Sequence, residues 1–336
     1  MKKSIFLLIA LLAGALNLFA QTAGCDTIVT RLAGTAQIKF VRYKHIEMVG
    51  AFTINSSGDQ VRFAQGNLQY RASTNVWRFA EEQYEMLGTS GYTHSTTAYT
   101  SGNETAAASR STQDSWIDLF GWGTSGKDDG ETTAYEPWSV STTNTDYRHA
   151  AELNANSDWS RFGVIINGGG ASGPQQGLWR TLTGDELTYI FSGRTDASSK
   201  YGVGELFGVR GVYLIPDVFD WTADPVASAI SAAGFTWVPF SSETTKGGSN
   251  LITSSTLWNV LQNAGVVFLP VTGQRTGENV EAAASGGYYW TATGSKGGGY
   301  SSRLVFNITA SKMPTITLPK SAKSHFGCAV RPVQDL

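Results

Sequence analysis

Apolar residues run almost unbroken from Ile5 to Leu16 behind Lys2 and Lys3, the pattern of a secretory leader and not of a fold element. Leu18-Phe19-Ala20 places a small residue at the cut, so residues 1–20 are expected to leave and Gln21 to become the first residue. Thereafter hydrophobic and polar positions alternate in short runs. Gly50–Asn55 and Gln60–Phe63 flank Ser56-Ser57-Gly58-Asp59, and two alternating runs around a glycine turn predict a β-hairpin. Helical spacing occurs twice. Thr183-Gly184-Asp185-Glu186 has capping-box spacing ahead of Leu187, Ile190 and Phe191, and a second helix runs from about Ser255 through Leu257, Trp258 and Leu261 to a stop at Gly265. Gly211–Pro216 and Gly265–Pro270 each follow a helix and read as buried strands ended by proline. The C-terminal stretch alternates strand and turn over 288–293, 303–308, 315–318 and 327–333, with a tip at Gly297-Gly298-Gly299.

These elements predict an α+β fold with two main helices, small antiparallel sheets and long irregular loops. Residues 21–48 read as a lead-in to a domain over 49–336. Residues 89–113 and 123–147 are Ser/Thr/Gly-rich loops, whereas Trp116–Gly123 is too aromatic for a linker and is expected to plug the core. The charged fraction is 15%, with ten Trp, so most indoles are expected inside, where they replace long aliphatic runs. Removing Lys2 and Lys3 with the leader, and no acid, changes the net charge from −2 to −4, which argues against a nucleic-acid partner. No second apolar run approaches the ~20 residues of a membrane span. Of the two cysteines, Cys25 follows Thr22-Ala23-Gly24 and offers an alternative lipoprotein cut with a lipid anchor. Cys328 reads either as its disulfide partner or as a buried thiol.

The sequence carries few catalytic signatures. His45, His94, His149 and His325 lack metal-ligand spacing, and no Gly-x-Ser-x-Gly elbow occurs. Gly168–Gly173 formally fits a dinucleotide fingerprint, but Pro174 follows where a helix is needed, so it reads as a loop. Asp128-Asp129-Gly130-Glu131 reads as a solvated turn, and Glu81, Glu82 and Glu85 as one exposed helical turn. No catalytic residue, metal or cofactor is assigned.

Several segments occur in a familiar order: Val61–Tyr70, Trp77–Ala80, Trp116–Gly126, Trp179–Thr183, Leu269–Arg275, Tyr289–Thr293 and Gly327–Val333. Together, over roughly residues 50–333, they resemble exported bacterial proteins with a C-type-lectin-like domain of the formylglycine-generating-enzyme type. The resemblance implies a compact α+β domain. Enzymatic members use cysteines or an iron-binding histidine cluster that this chain lacks, and Glu136-Pro137-Trp138 departs from the calcium-dependent sugar loop at its third residue. A subset of the family is diversified by retroelements near the 3′ end of the gene. The frame from Tyr289-Trp290 through Leu304 and Phe306 to Gly327–Arg331 is similar to that region, which undiversified members share.

The expected function is that of an exported, non-catalytic, extracellular or cell-surface protein, in one variant an outer-membrane lipoprotein, that binds a protein or glycan. The alternatives are a structural or adhesive surface component and a glycan-active enzyme with dispersed carboxylates. Alternation in the C-terminal region predicts Leu304, Phe306, Ile308, Ile316, Leu318 and Val330 inside. It places Tyr289, Ser295, Lys296, Tyr300, Arg303, Asn307, Lys312 and His325 outward as ligand-binding residues, with Tyr289, Tyr300 and Arg303 as energetic centres.

Overall fold

The computed structural model describes residues 18–22, 25–29, 31–32, 35–36, 48–89, 92–94, 101–104, 111–127, 135–169, 173–295 and 299–336, with side chains for 48–88 and for the later segments except 92–94. The apolar leader, the acidic turn 128–131 and Lys296 lie outside the described residues. The chain divides into two compact units, Met1–Ile46 and Glu47–Leu336. In the first, Leu18–Thr22 pairs antiparallel with Cys25–Val29, and Arg31–Leu32 with Thr35–Ala36.

The second unit is α+β, with helices and several small, mostly antiparallel sheets. The expected hairpin forms: Phe52–Thr53 pairs with Gln60–Phe63, and Gly58 adopts a φ of 88° that L side chains rarely reach. Val333–Asp335 adds to its other edge and brings the C-terminus beside it. A four-stranded sheet runs Asn250–Ile252, Tyr201–Leu206, Val209–Leu214, Val267–Pro270, the first pair parallel and the rest antiparallel.

Both expected helices are present. Gly184–Ser192 carries the full capping box, Thr183 accepting from the Glu186 amide and Glu186 from the Thr183 amide, which satisfies two N–H groups that a helix start leaves free. Its Leu187, Ile190 and Phe191 join the same hydrophobic cluster as Leu257, Trp258 and Leu261 of Ser255–Asn263. Two further helices were not anticipated. Trp159–Phe162 is a single turn capped by Asp158. Val226–Ala233 carries a signal that the sequence did contain, an alanine-rich run before Gly234, which closes it at φ 62°. The predicted helical turn at Glu81, Glu82 and Glu85 does not form. Glu85 is instead buried, accepting from Gln69 and from the Glu81 amide near Arg78.

Trp116–Gly123 does plug the core: Leu119, Phe120 and Trp122 are fully buried. Its contacts reach the C-terminal sheet, where Phe120 and Cys328 exchange backbone hydrogen bonds of 2.9 and 3.0 Å. That sheet has the order Gly286–Gly294, Tyr300–Asn307, Thr315–Lys323. Gly287 is obligatory there, because a Cβ would stand 1.9 Å from the Phe306 ring.

Candidate functional site

The middle strand, Tyr300–Asn307, determines what the C-terminal sheet offers to a ligand. Leu304, Phe306 and Ile308 are buried and Asn307 exposed, as alternation requires. The opposite face is not open to solvent, however. The Trp290 indole donates to the Phe120 carbonyl at 2.7 Å and the Trp122 indole to the Thr291 carbonyl at 2.9 Å, so residues 116–125 cover that face. Ile316 and Leu318 on the outer strand are only half-buried.

Three residues expected to face outward are inside. Tyr289 is 3% exposed, stacks on Phe306 with ring centroids 5.9 Å apart, and donates to the Pro270 carbonyl at 2.7 Å. Burial pushes its phenol up despite the opposing Arg331 charge. Arg303 is buried, donates to Gln274 Oε1 and to Cys328 Sγ, and lies over the Tyr288 and Phe326 rings. His325 is buried between the rings of Tyr147 and Phe326, with Nδ1 unpartnered, and burial lowers its pKa. Tyr289 pairs with Leu304 and so shares its core-facing side, whereas chain from elsewhere in the sequence covers Arg303 and His325. Cys328 is a free buried thiol, pushed up by burial and held down in part by Arg303.

The segments that carry the family resemblance form the framework. Asn67 joins two of them: its Nδ2 donates to the Tyr289 hydroxyl at 3.2 Å and its Oδ1 accepts from Arg331 Nε at 2.9 Å. Arg331 also donates to the Ala64, Gln83 and Phe268 carbonyls. With no carboxylate beside it, burial lowers its pKa to about 10. Trp138, the departing residue of the sugar-loop string, stacks on Tyr70 at 5.9 Å.

Ser295, Tyr300, Asn307 and Lys312 are exposed. Ser295 and Tyr300 come together, lining a shallow groove of ≈ 250 Å³ with Gly294, Ser301, Ser302, Pro319 and Ser321. Sequence reasoning missed Ser302 and Ser321 because only the register, Ser302 opposite Ser321, brings them to one place. Asn307 pairs with Thr315 at the other end of the strand. A larger cleft of ≈ 430 Å³ lies between Ala233–Val238 and Ser249–Leu257, remote in sequence from every expected site residue.

Among the described residues no group of His, Cys, Asp and Glu is placed to hold a metal ion, and no helix is long and apolar enough to cross a membrane. No protein-family model, curated protein or solved structure matches the chain.

Proposed function

We propose that the chain is an exported binding protein with a C-type-lectin-like domain of the formylglycine-generating-enzyme type, which takes up a protein or glycan on the exposed part of its C-terminal sheet. The observation that carries this reading is the groove between Ser295, Tyr300–Ser302 and Pro319–Ser321, the place where expected ligand residues remain accessible and adjoin. Tyr300 is 46% exposed, an aromatic ring held on a paired strand, and such rings supply contact area at low entropic cost. The surrounding framework of buried indoles and Arg331 keeps the strands in register, so surface substitutions there cost little stability. Export rests on the lysine-flanked apolar leader.

The test is a screen of the mature protein against glycan and protein arrays, followed by titration of any hit with Tyr300→Ala and Ser321→Ala. The reading expects at least a tenfold loss of affinity, about 1.4 kcal/mol, at an unchanged melting temperature. A hit that both variants bind as tightly as the wild type would move the ligand surface elsewhere. A nearby genomic near-copy of the segment encoding residues 289–331, differing at template adenines, would show that this surface is diversified.

A further inference from the structure

From Ala282 to Gln334 the chain carries Lys296, Arg303, Lys312, Lys320, Lys323 and Arg331 and not a single Asp or Glu, although its net charge is −2. The C-terminal sheet is therefore basic on an otherwise acidic protein. Lys312, Lys320 and Lys323 are exposed and form no ion pair among the described residues. Arg275, Arg303 and Arg331 are buried and donate to carbonyls, amide oxygens and the Cys328 sulfur, so no carboxylate hydrogen-bonds them among the described residues. Acids border the sheet, among them Glu281, which acts on Tyr288. Glu152 bridges Thr293 on the Gly286–Gly294 strand, and Asp185 stands in the first turn of the helix whose Gly184 amide donates to Thr293. Neither lines the groove.

The register orders the groove chemically. Ser302 pairs with Ser321 and Tyr300 with Lys323, so Tyr300, Ser302, Ser321 and Lys323 share one face. This sets a half-exposed ring and the exposed Ser321 hydroxyl side by side, with the Lys323 ammonium beside Tyr300 at the margin of the groove. The Ser302 Oγ is buried against Gly184, so the exposed serine hydroxyl of this pair is that of Ser321. A ligand matching this set has a hydroxyl for Ser321, a C–H face for the ring and an anionic group for the ammonium. At ≈ 250 Å³ the groove suits one ring better than an extended chain.

We propose that the groove binds an acidic sugar, with its carboxylate at Lys323 and its ring against Tyr300. The proposal rests on the binding reading above and names the ligand class. Its test uses mature protein and immobilised uronate- and sialate-bearing oligosaccharides, their methyl esters, and poly-glutamate. The expected result is binding of at least one acidic sugar, weakened at least tenfold by esterification and by Lys323→Ala, kept by Lys323→Arg, and reduced by added salt. Tyr300→Ala should weaken it similarly, with the melting temperature of every variant unchanged. Equal binding of acid and ester, tighter binding of poly-glutamate, or no acidic-sugar binding overturns the proposal. If some other ligand binds and is lost in Tyr300→Ala, only the ligand class fails. If ligands are indifferent to Tyr300→Ala, the binding surface itself is misplaced.

Discussion

Tyr289 and Tyr300 lie on the same face of paired strands, yet substituting them should have opposite consequences. Tyr289→Phe removes one hydroxyl that donates to the Pro270 carbonyl and accepts from Asn67. Both partners are then left buried and unsatisfied, which costs about 1–3 kcal/mol. Tyr289→Ala also deletes a ring that is 3% exposed and stacked on Phe306, and loss of a large buried side chain costs about 3–5 kcal/mol. Tyr300→Ala, at 46% exposure and outside the core cluster, should stay within about 0.5 kcal/mol. Urea unfolding followed by tryptophan fluorescence reads all three, with free energies from linear extrapolation at a common slope. If Tyr289→Phe unfolds at the wild-type urea concentration, the Asn67–Tyr289–Pro270 connection does not contribute, and the argument that Tyr289 is framework and not ligand surface collapses.

Asp118 is fully buried, accepts from the Leu87 amide and Asn103 Nδ2, and burial pushes its carboxyl from 3.8 up to about 6. Because the folded state holds the proton more tightly, this group's contribution falls as pH rises from about 4 to about 6, by on the order of 3 kcal/mol. The stability difference between wild type and Asp118→Asn should therefore shift in the variant's favour across that window, and a pH-independent difference would contradict it. Gly287→Ala should unfold or severely destabilise the domain, since its Cβ meets the Phe306 ring at 1.9 Å, whereas Gly208→Ala meets nothing within 4 Å and costs only the strain of φ 85°. Calorimetry separates the two. Thr183→Ala should cost about 1 kcal/mol through loss of the capping box, read by the same urea titration. N-terminal mass spectrometry of exported protein should find Gln21 first, or a lipidated Cys25, and intact Met1 would remove the export argument.

Local pattern was enough for those elements whose determinants lie within a few residues of one another. The Thr183/Glu186 box, the Ser254 cap that accepts from Leu257, and the Gly58 turn each satisfy backbone groups within their own segment, so their residue types announce them. Alternation likewise assigned Leu304, Phe306 and Ile308 to one face of a strand, because a pleated backbone sends successive side chains to opposite sides. What alternation does not carry is whether the other side meets water or more protein. Arg303 and Tyr289 were legible as strand residues but not as buried ones. The chain that covers or bonds them comes from Phe120, 170 residues before Trp290, and from Asn67, 222 residues before Tyr289. The groove has the same origin: Ser302 and Ser321 meet through strand register, and the bulge between Arg303 and Val305 that sets this register is a property of pairing and not of either segment. Composition already held the absence of acids from Ala282 to Gln334, but its concentration on one accessible sheet exists only once the strands are paired. Sequence thus determined the elements, through interactions a few bonds long, and tertiary packing decided exposure, because a residue's access to water depends on chain hundreds of positions away.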